Sequence, residues 1–201
     1  MNNRLIIIGA GGHAKVIADM ALKGGYDLLG FLDDTKVGKV YGEYAVLGKT
    51  SECEKYADEA SFVIGIGNNT LRRRIAGEYA LRYATVIHPS AQIALGVMLG
   101  EGSVVMANAV INSAAAVGKH CIVNTAAVVE HDCCLADFVH VSPHATLCGA
   151  VAVGENTHIG AGATVIQLMK ISNDAVIGAG AVVVRDVFEP GIYVGVPARK
   201  K

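Results

Sequence analysis

From Ile93 to Val183 every sixth residue is aliphatic, sixteen positions in succession. A helix repeats every 3.6 residues and a flat strand every two, so neither generates this period. A fixed short period is the mark of stacked repeats. Six residues are too few to hold a helix. The unit must therefore be a short strand and a turn, coiled into a β-solenoid. The position four after each aliphatic is mostly small, as at Ala109, Ala115, Cys121, Ala127 and Cys133, and glycine often follows the aliphatic directly, as at Gly100, Gly118 and Gly154. This composition predicts large side chains pointing inward, small ones at the corners, and glycine where the backbone turns.

The first part of the chain has no such period. Leu5-Ile6-Ile7-Ile8 reads as a buried strand, followed by Gly9-Ala10-Gly11-Gly12-His13-Ala14 and a helical stretch to about Lys23. Leu28 to Leu32 predicts a second strand ending in Asp33-Asp34, residues 50–57 a helix, Phe62 to Ile66 a third strand, and the basic stretch to Tyr79 a last helix. The βαβαβα alternation implies a parallel sheet of half-Rossmann size. The expected division is an α/β domain over 1–82 and a solenoid over 83–201, with 83–92 joining the halves and Pro89 fitting a linker or the solenoid entry.

Gly9 to Ala14 fits G-x-G-x-x-A between a strand and a helix. Its glycines let backbone amides approach a pyrophosphate, and the helix N-terminus favours the negative charge. Asp33, at the end of the second strand, stands where an acid meets a ribose. The sheet is too small for a dinucleotide, which disfavours a nicotinamide cofactor.

Taken with the solenoid, the Gly-Gly-His loop, Phe31-Leu32-Asp33-Asp34 and Gly65-Ile66-Gly67-Asn68-Asn69 make the chain resemble the hexapeptide-repeat sugar acetyltransferases. The likeness is to bacterial UDP-amino-sugar N-acetyltransferases and the related sialic acid O-acetyltransferase branch. The resemblance implies a left-handed parallel β-helix with three hexads, 18 residues, to each triangular rung. It also implies transfer of an acetyl group from acetyl-coenzyme A to the amine of a UDP-linked amino sugar. The alternatives are O-acetylation of a sugar hydroxyl and, remotely, a zinc enzyme on the same fold. By resemblance, Gly12, His13 and Ala14 meet the phosphates, Asp33 and Asp34 the nucleoside, and Gly67 lines the same pocket. His131 is the general base, Asp132 raises its basicity, and Asn124 supports the site. His140, Gly149, Ala161 and Ala179 contact the coenzyme. A base that titrates near neutrality beside a carboxylate suits proton removal from an attacking amine. His120, His144 and His158 read as surface residues, though His158 lies one 18-residue step from His140.

His131 and His140 are nine residues apart, half of such a rung. If both serve one reaction they must come from neighbouring subunits. A cyclic homotrimer would set the His131 face of one subunit against the His140 corner of the next.

A net charge of −1 without a basic run argues against nucleic acid. No apolar run approaches the ~20 residues that span a bilayer, and the four apolar residues after Met1-Asn2-Asn3-Arg4 are too few for a leader. These features predict a cytoplasmic protein without membrane insertion. Five cysteines at irregular spacing, with no Cys-x-x-Cys pair, predict buried free thiols and no metal.

Overall fold

The computed structural model describes residues 3–201, so the part of the leader reading that rests on Met1 and Asn2 lies outside the described residues. The chain opens with β1 (Arg4–Ile8), α1 (Gly12–Lys23) and β2 (Asp27–Leu32). β3 (Val40–Tyr41), β4 (Tyr44–Gly48) and a 3-10 helix (Thr50–Tyr56) follow, then β5 (Ser61–Ile64) and α2 (Asn69–Glu78). The sheet order is β3-β4-β2-β1-β5, parallel except for the β3–β4 pair. The helical reading of 50–57 is a 3-10 helix, and the β3–β4 hairpin has no counterpart in the sequence reading. β1 is buried on both faces, as a central parallel strand must be. Leu5 and Ile7 face α1, whereas Ile6 and Ile8 face Cys53 and Ile75.

From Val86 onward two-residue strands alternate with turns and build three sheets. The first face starts at Val86–Ile87, the second at Gln92–Ile93 and the third at Met98–Leu99. Up to Val183 partners lie 18 residues apart: Ile122 pairs His140, Val128 pairs Thr146 and Ala116 pairs Cys134, all in parallel. The aliphatic of each hexad is the second strand residue and points inward. Val123, Val141, Val129, Leu147 and Ile159 are fully buried in one core shared by the three sheets. Each such side chain contributes about 1.5–3 kcal/mol.

Of the two readings of 83–92, linker or solenoid entry, the structure shows the solenoid entry. Tyr83 forms a parallel bridge to Phe62, and Val86–Ile87 already pairs with Val104–Val105. The outward residues of the first face, Val86, Val104 and Ile122 on three successive rungs, share one apolar cluster with α1 and β1. At the far end Gly191–Val194 continues the first face in parallel and Arg199–Lys200 closes it antiparallel.

The glycines do a different job from the one expected. Fifteen corner positions, every sixth residue from Gly96 to Gly180, have positive φ, and eleven of them are not glycine. Left-handed backbone costs about 1–2 kcal/mol at such residues, and the parallel ladders hold them there. The glycines directly after the aliphatic, such as Gly100, have ordinary φ and give room: a Cβ on Gly100 would lie 2.4 Å from the Gly118 carbonyl carbon.

Cys53, Cys121 and Cys133 are buried free thiols, Cys148 is half-buried and Cys134 is exposed. Among the described residues no helix is long and apolar enough to cross a membrane.

Candidate active site

Three places in the molecule gather the residues picked out above. The first is the carboxyl end of the small sheet. The chain reverses direction there, β2 lying on one side of β1 and β5 on the other, which is where open α/β sheets bind ligands. A cleft of about 520 Å³ opens beside Gly9, Asp33, Asp34, Thr50, Ile66 and Tyr79. Gly9 has φ +99°, and a Cβ there would lie 2.9 Å from Ile66. α1 begins with Gly11 as N-cap and no side-chain cap, so its first amides stay open to an anion. Gly12 is exposed and has nothing near its Cα, whereas the Ala14 side chain is buried against Gly65, leaving only its backbone to meet a ligand. Asp33 is already engaged: Oδ2 accepts from the Ala10 amide at 2.9 Å, and Oδ1 from the Thr35 amide and hydroxyl at 2.9 and 2.8 Å. Burial pushes its pKa up, but these bonds and Lys36 together hold it below the usual carboxylate range. Its first role is thus to shape the glycine loop. Asp34 accepts from the Thr50 amide at 2.9 Å through one oxygen and keeps the other.

The second place is the solenoid corner between the second and third faces. His131 stands in the turn there, exposed, with Nδ1 2.8 Å from Asp132 Oδ2. Asp132 occupies a left-handed corner position, φ 61°, beside its neighbour's ring. Its carboxylate raises the His131 pKa. Because Nδ1–H donates to the carboxylate, Nε2 carries the free lone pair. One rung on, Gly149 leaves the space this ring uses: a Cβ there would lie 2.7 Å from His131 Cε1 and 2.8 Å from Nε2. Among the described residues the Gly149 amide has no hydrogen-bond acceptor.

The third place is the junction between the first face and the α/β domain. His140 is a strand residue with 7 % exposure. Asn124 Oδ1 accepts from the Thr125 amide at 2.8 Å, which turns its Nδ2 toward His140 Nε2 at 3.0 Å. Nε2 is therefore an acceptor, and Nδ1–H donates to the Gly67 carbonyl at 3.3 Å. Both ring nitrogens are used and the ring is neutral: burial, with His158, Arg72 and His13 nearby, lowers its pKa to about 3. His13 lies 6.1 Å from His140 between ring centres, and burial followed by Arg72 lowers it to about 4. His158 stacks on His140 at 4.7 Å and bonds Ser142 Oγ at 2.7 Å. The surface reading of His158 and His120 is thereby corrected. His158 is half-buried in this ladder, and His120, 5 % exposed, stacks on Phe138. His144 is exposed as expected.

Within one subunit the structure joins His131, Asp132 and Gly149, and separately His13, Gly67, Asn124 and His140. It does not join the two groups. The expected placement is also reversed: His131 is on a corner and His140 on a face, because the residue before each inward aliphatic lies in the strand and the second after it lies in the turn. Asn124 serves His140, not His131. Ala161 and Ala179 stack, exposed, on the corner between the first and second faces, where the Gly180 amide bonds the Ala161 carbonyl at 2.9 Å. Among the described residues no three of His, Cys, Asp or Glu gather as a metal ion requires.

The sequence reading missed Arg72. It is 1 % exposed, and among the described residues its hydrogen bonds go to four carbonyls and Asn69 rather than to a carboxylate. Nε donates to the His120 carbonyl at 2.8 Å, Nη1 to Ile66 O at 3.0 Å and Gly67 O at 3.4 Å, and Nη2 to Asn69 Oδ1 and Phe138 O, both at 2.9 Å.

Residues 4–79 match a family described as the PglD N-terminal domain. The whole chain superposes on the acetyltransferase domain of PglB from Neisseria gonorrhoeae, which has also been solved in complex with acetyl coenzyme A, with 39% identity, 100% of both chains covered and a TM-score of 0.95. PerB from Caulobacter crescentus, solved in complex with CoA and GDP-perosamine, is 37% identical over 98% of this chain and 96% of its own, with a TM-score of 0.92. The UDP-N-acetylbacillosamine N-acetyltransferase of Bacillus subtilis is 39% identical over 108 residues, half of each chain. The chain spans half or less of the length of the curated relatives it matches.

Proposed function

The chain belongs to the hexapeptide-repeat acetyltransferases related to PglB and to the perosamine and bacillosamine N-acetyltransferases, and on that footing we propose that it moves an acetyl group from acetyl-coenzyme A to the amine of a UDP-linked amino sugar. The observation that carries this reading is the His131 corner: an exposed imidazole with Nδ1 tied to Asp132 and Nε2 free. In the proposed reaction the amine attacks the thioester carbonyl, the C–N bond forms, the C–S bond breaks, and the amine proton goes to His131 Nε2. Asp132 stabilises the imidazolium, which then hands that proton to the departing coenzyme thiolate, so the coenzyme leaves as its free thiol. The unpartnered Gly149 amide is suited to the carbonyl oxygen. Direct attack needs no acyl-enzyme. Gly12, His13, Ala14, Asp33, Asp34 and Gly67 bind the nucleotide-sugar. Ala161 and Ala179 line the coenzyme's path beside His140, whose filled hydrogen bonds limit it to packing until Asn124 or Gly67 lets go.

The remaining proposals follow the same family. The domains divide at 82/83 by function, although their packing is continuous. The solenoid coils left-handed. The active unit is a homotrimer whose three sites each pair His131 and Gly149 of one subunit with His140, Ala161 and Ala179 of the next, because no single subunit unites them. The glycine loop and the open α1 N-terminus support a nucleotide-linked sugar over a free one, and with it N-acetylation over the sialic-acid type of O-acetylation.

The test is thiol release from acetyl-coenzyme A with UDP-linked and GDP-linked amino sugars and with free sugars. Turnover confined to a UDP-linked amine is the expected result. Turnover of a GDP-linked amine alone would move the assignment to the other nucleotide. Turnover of sugars without an amine would overturn N-acetylation.

A further inference from the structure

α2 lies along the solenoid corner between the third and first faces. His120, Phe138 and Asn156 occupy that corner on three successive rungs, each 18 residues from the last and each with positive φ. Their three carbonyls receive side-chain donors from one helix turn. Arg72 takes His120 and Phe138, and Asn69 Nδ2 takes Asn156 O and Thr157 O, both at 3.1 Å. The fit is geometric: three residues of helix rise about 4.5 Å, and neighbouring parallel strands stand about 4.8 Å apart. The remaining arm of the guanidinium turns to Ile66 O and Gly67 O, at the end of β5, where Gly67 O also accepts from His140 Nδ1. A planar cation with five donors reaches carbonyls on several elements at once, where lysine offers three donors at one point and an apolar side chain none.

We infer that Arg72, locked by Asn69, is a positioning residue for acetyl transfer: it registers the Ile66–Gly67 loop of the nucleotide-sugar pocket against His140 and three rungs of the solenoid. This rests on the reading of the two regions proposed above. The sugar is anchored through its nucleotide on the α/β domain, whereas its amine must reach the solenoid. The distance between anchor and reacting atom is then set by whatever fixes one domain on the other. Apolar burial at Val86, Val104 and Ile122 supplies adhesion but is non-directional. The Arg72 fork supplies register. Two further observations separate this from a general stabilising role. Among the described residues the buried cation has no carboxylate partner, so its hydrogen bonds must all come from these carbonyls and Asn69. It also bonds the Gly67 carbonyl that accepts from His140 Nδ1.

The experiment compares the full-length wild type with Arg72→Met, Arg72→Lys and Asn69→Ala. It measures imidazole 15N shifts, calorimetric binding of UDP and GDP, and steady-state kinetics with the nucleotide-linked amino sugar. In Arg72→Met the His140 Nδ1 signal should shift as its hydrogen bond to the Gly67 carbonyl changes, and kcat/KM for the nucleotide-sugar should fall by about 10²-fold, the usual effect of ångström-scale misplacement. Nucleotide affinity should stay within about twofold, since Asp33, Asp34 and the glycine loop are untouched. Arg72→Lys should recover part of the turnover. If Arg72→Met does not fold, Asn69→Ala should give the same pattern with smaller amplitude. An unchanged His140 spectrum, unchanged turnover, or nucleotide affinity lost in parallel with turnover would each overturn the inference. A wild type that acetylates no nucleotide-linked amino sugar would sink the proposed function, and the ring spectra would then decide the register by themselves.

Discussion

The corner at His131 and the junction at His140 are built from the same hexad repeat, nine residues apart, yet they treat an imidazole in opposite ways. At the corner the ring is exposed, an adjacent carboxylate raises its pKa, and one nitrogen is free. At the junction the ring is buried, its pKa is pushed down to about 3, and both nitrogens are bonded. A side chain in a two-residue strand lies on a flat face that another element can cover, and here the α/β domain covers it. A side chain in the turn projects from an edge that nothing in the same subunit reaches. The solenoid thus supplies both an exposed histidine of raised pKa and a buried neutral one from a single pattern, and the difference is position within the hexad.

The largest expected effect comes from breaking the corner. His131→Ala should lower turnover by about 10²–10⁴, the usual worth of a positioned general base, with the fold intact because the side chain packs against nothing in the core. Activity close to wild type would remove His131 from the mechanism. Mixing His131→Ala with His140→Ala then sharpens the comparison. Random assembly of a cyclic trimer leaves roughly a quarter of the interfaces with both histidines. Mixed trimers should regain activity if the corner of one subunit meets the junction of the next. Activity no higher than the average of the two variants would mean the two regions do not share a site.

Next in size is Gly149→Ala. Its methyl would enter the space occupied by the His131 ring edge, 2.7 Å from Cε1. Gly149 has no positive φ, so the backbone accepts alanine and the effect falls on the ring. Displacing it by about 1 Å should cost on the order of 10²-fold in kcat, with denaturation midpoints unchanged. A kcat within about threefold of wild type would show that the ring's place over Gly149 is not used.

The solenoid was legible because its period is a property of the sequence itself, and the inward aliphatics remain on period through every rung. The assignment of His131 to a face and His140 to a corner went the other way because the period does not say which of the six residues form the strand. The strand turns out to end on the aliphatic, as at Val129 and Val141. The Asn124–His140 contact follows from an 18-residue rung less two residues, and needs that strand assignment to be seen. The β3–β4 hairpin, with a two-residue first strand, is too short for an alternation to register. Arg72 was hidden in Arg72-Arg73-Arg74, which reads as a solvated basic helix face. Only one of the three arginines faces inward, and the signal was the spacing to Asn69 on one side and Ile75 on the other.

The smallest effect expected is on stability, and it separates the two regions by sign. Burial holds His13, His120, His140 and His158 below the ordinary value of 6.5, with His13 and His120 at about 4 and His140 at about 3. Between pH 6.5 and about 4 the unfolded chain binds protons that the folded chain refuses. Stability from these groups is therefore complete above pH 6.5 and is lost as pH falls toward 4, with each contributing a slope of at most about 1.4 kcal/mol per pH unit. His131 has the opposite shift: what it contributes is present at low pH and disappears as pH rises through its raised pKa. At full exposure that contribution is screened to very little. Denaturant titrations at pH 7 and pH 5 should accordingly show a lower midpoint at pH 5. His140→Gln should flatten that dependence and His131→Gln should leave it as it is. Equal midpoints at the two pH values in the wild type would mean that the junction histidines accept protons in the folded state, and the contrast between corner and junction would fail at its buried end.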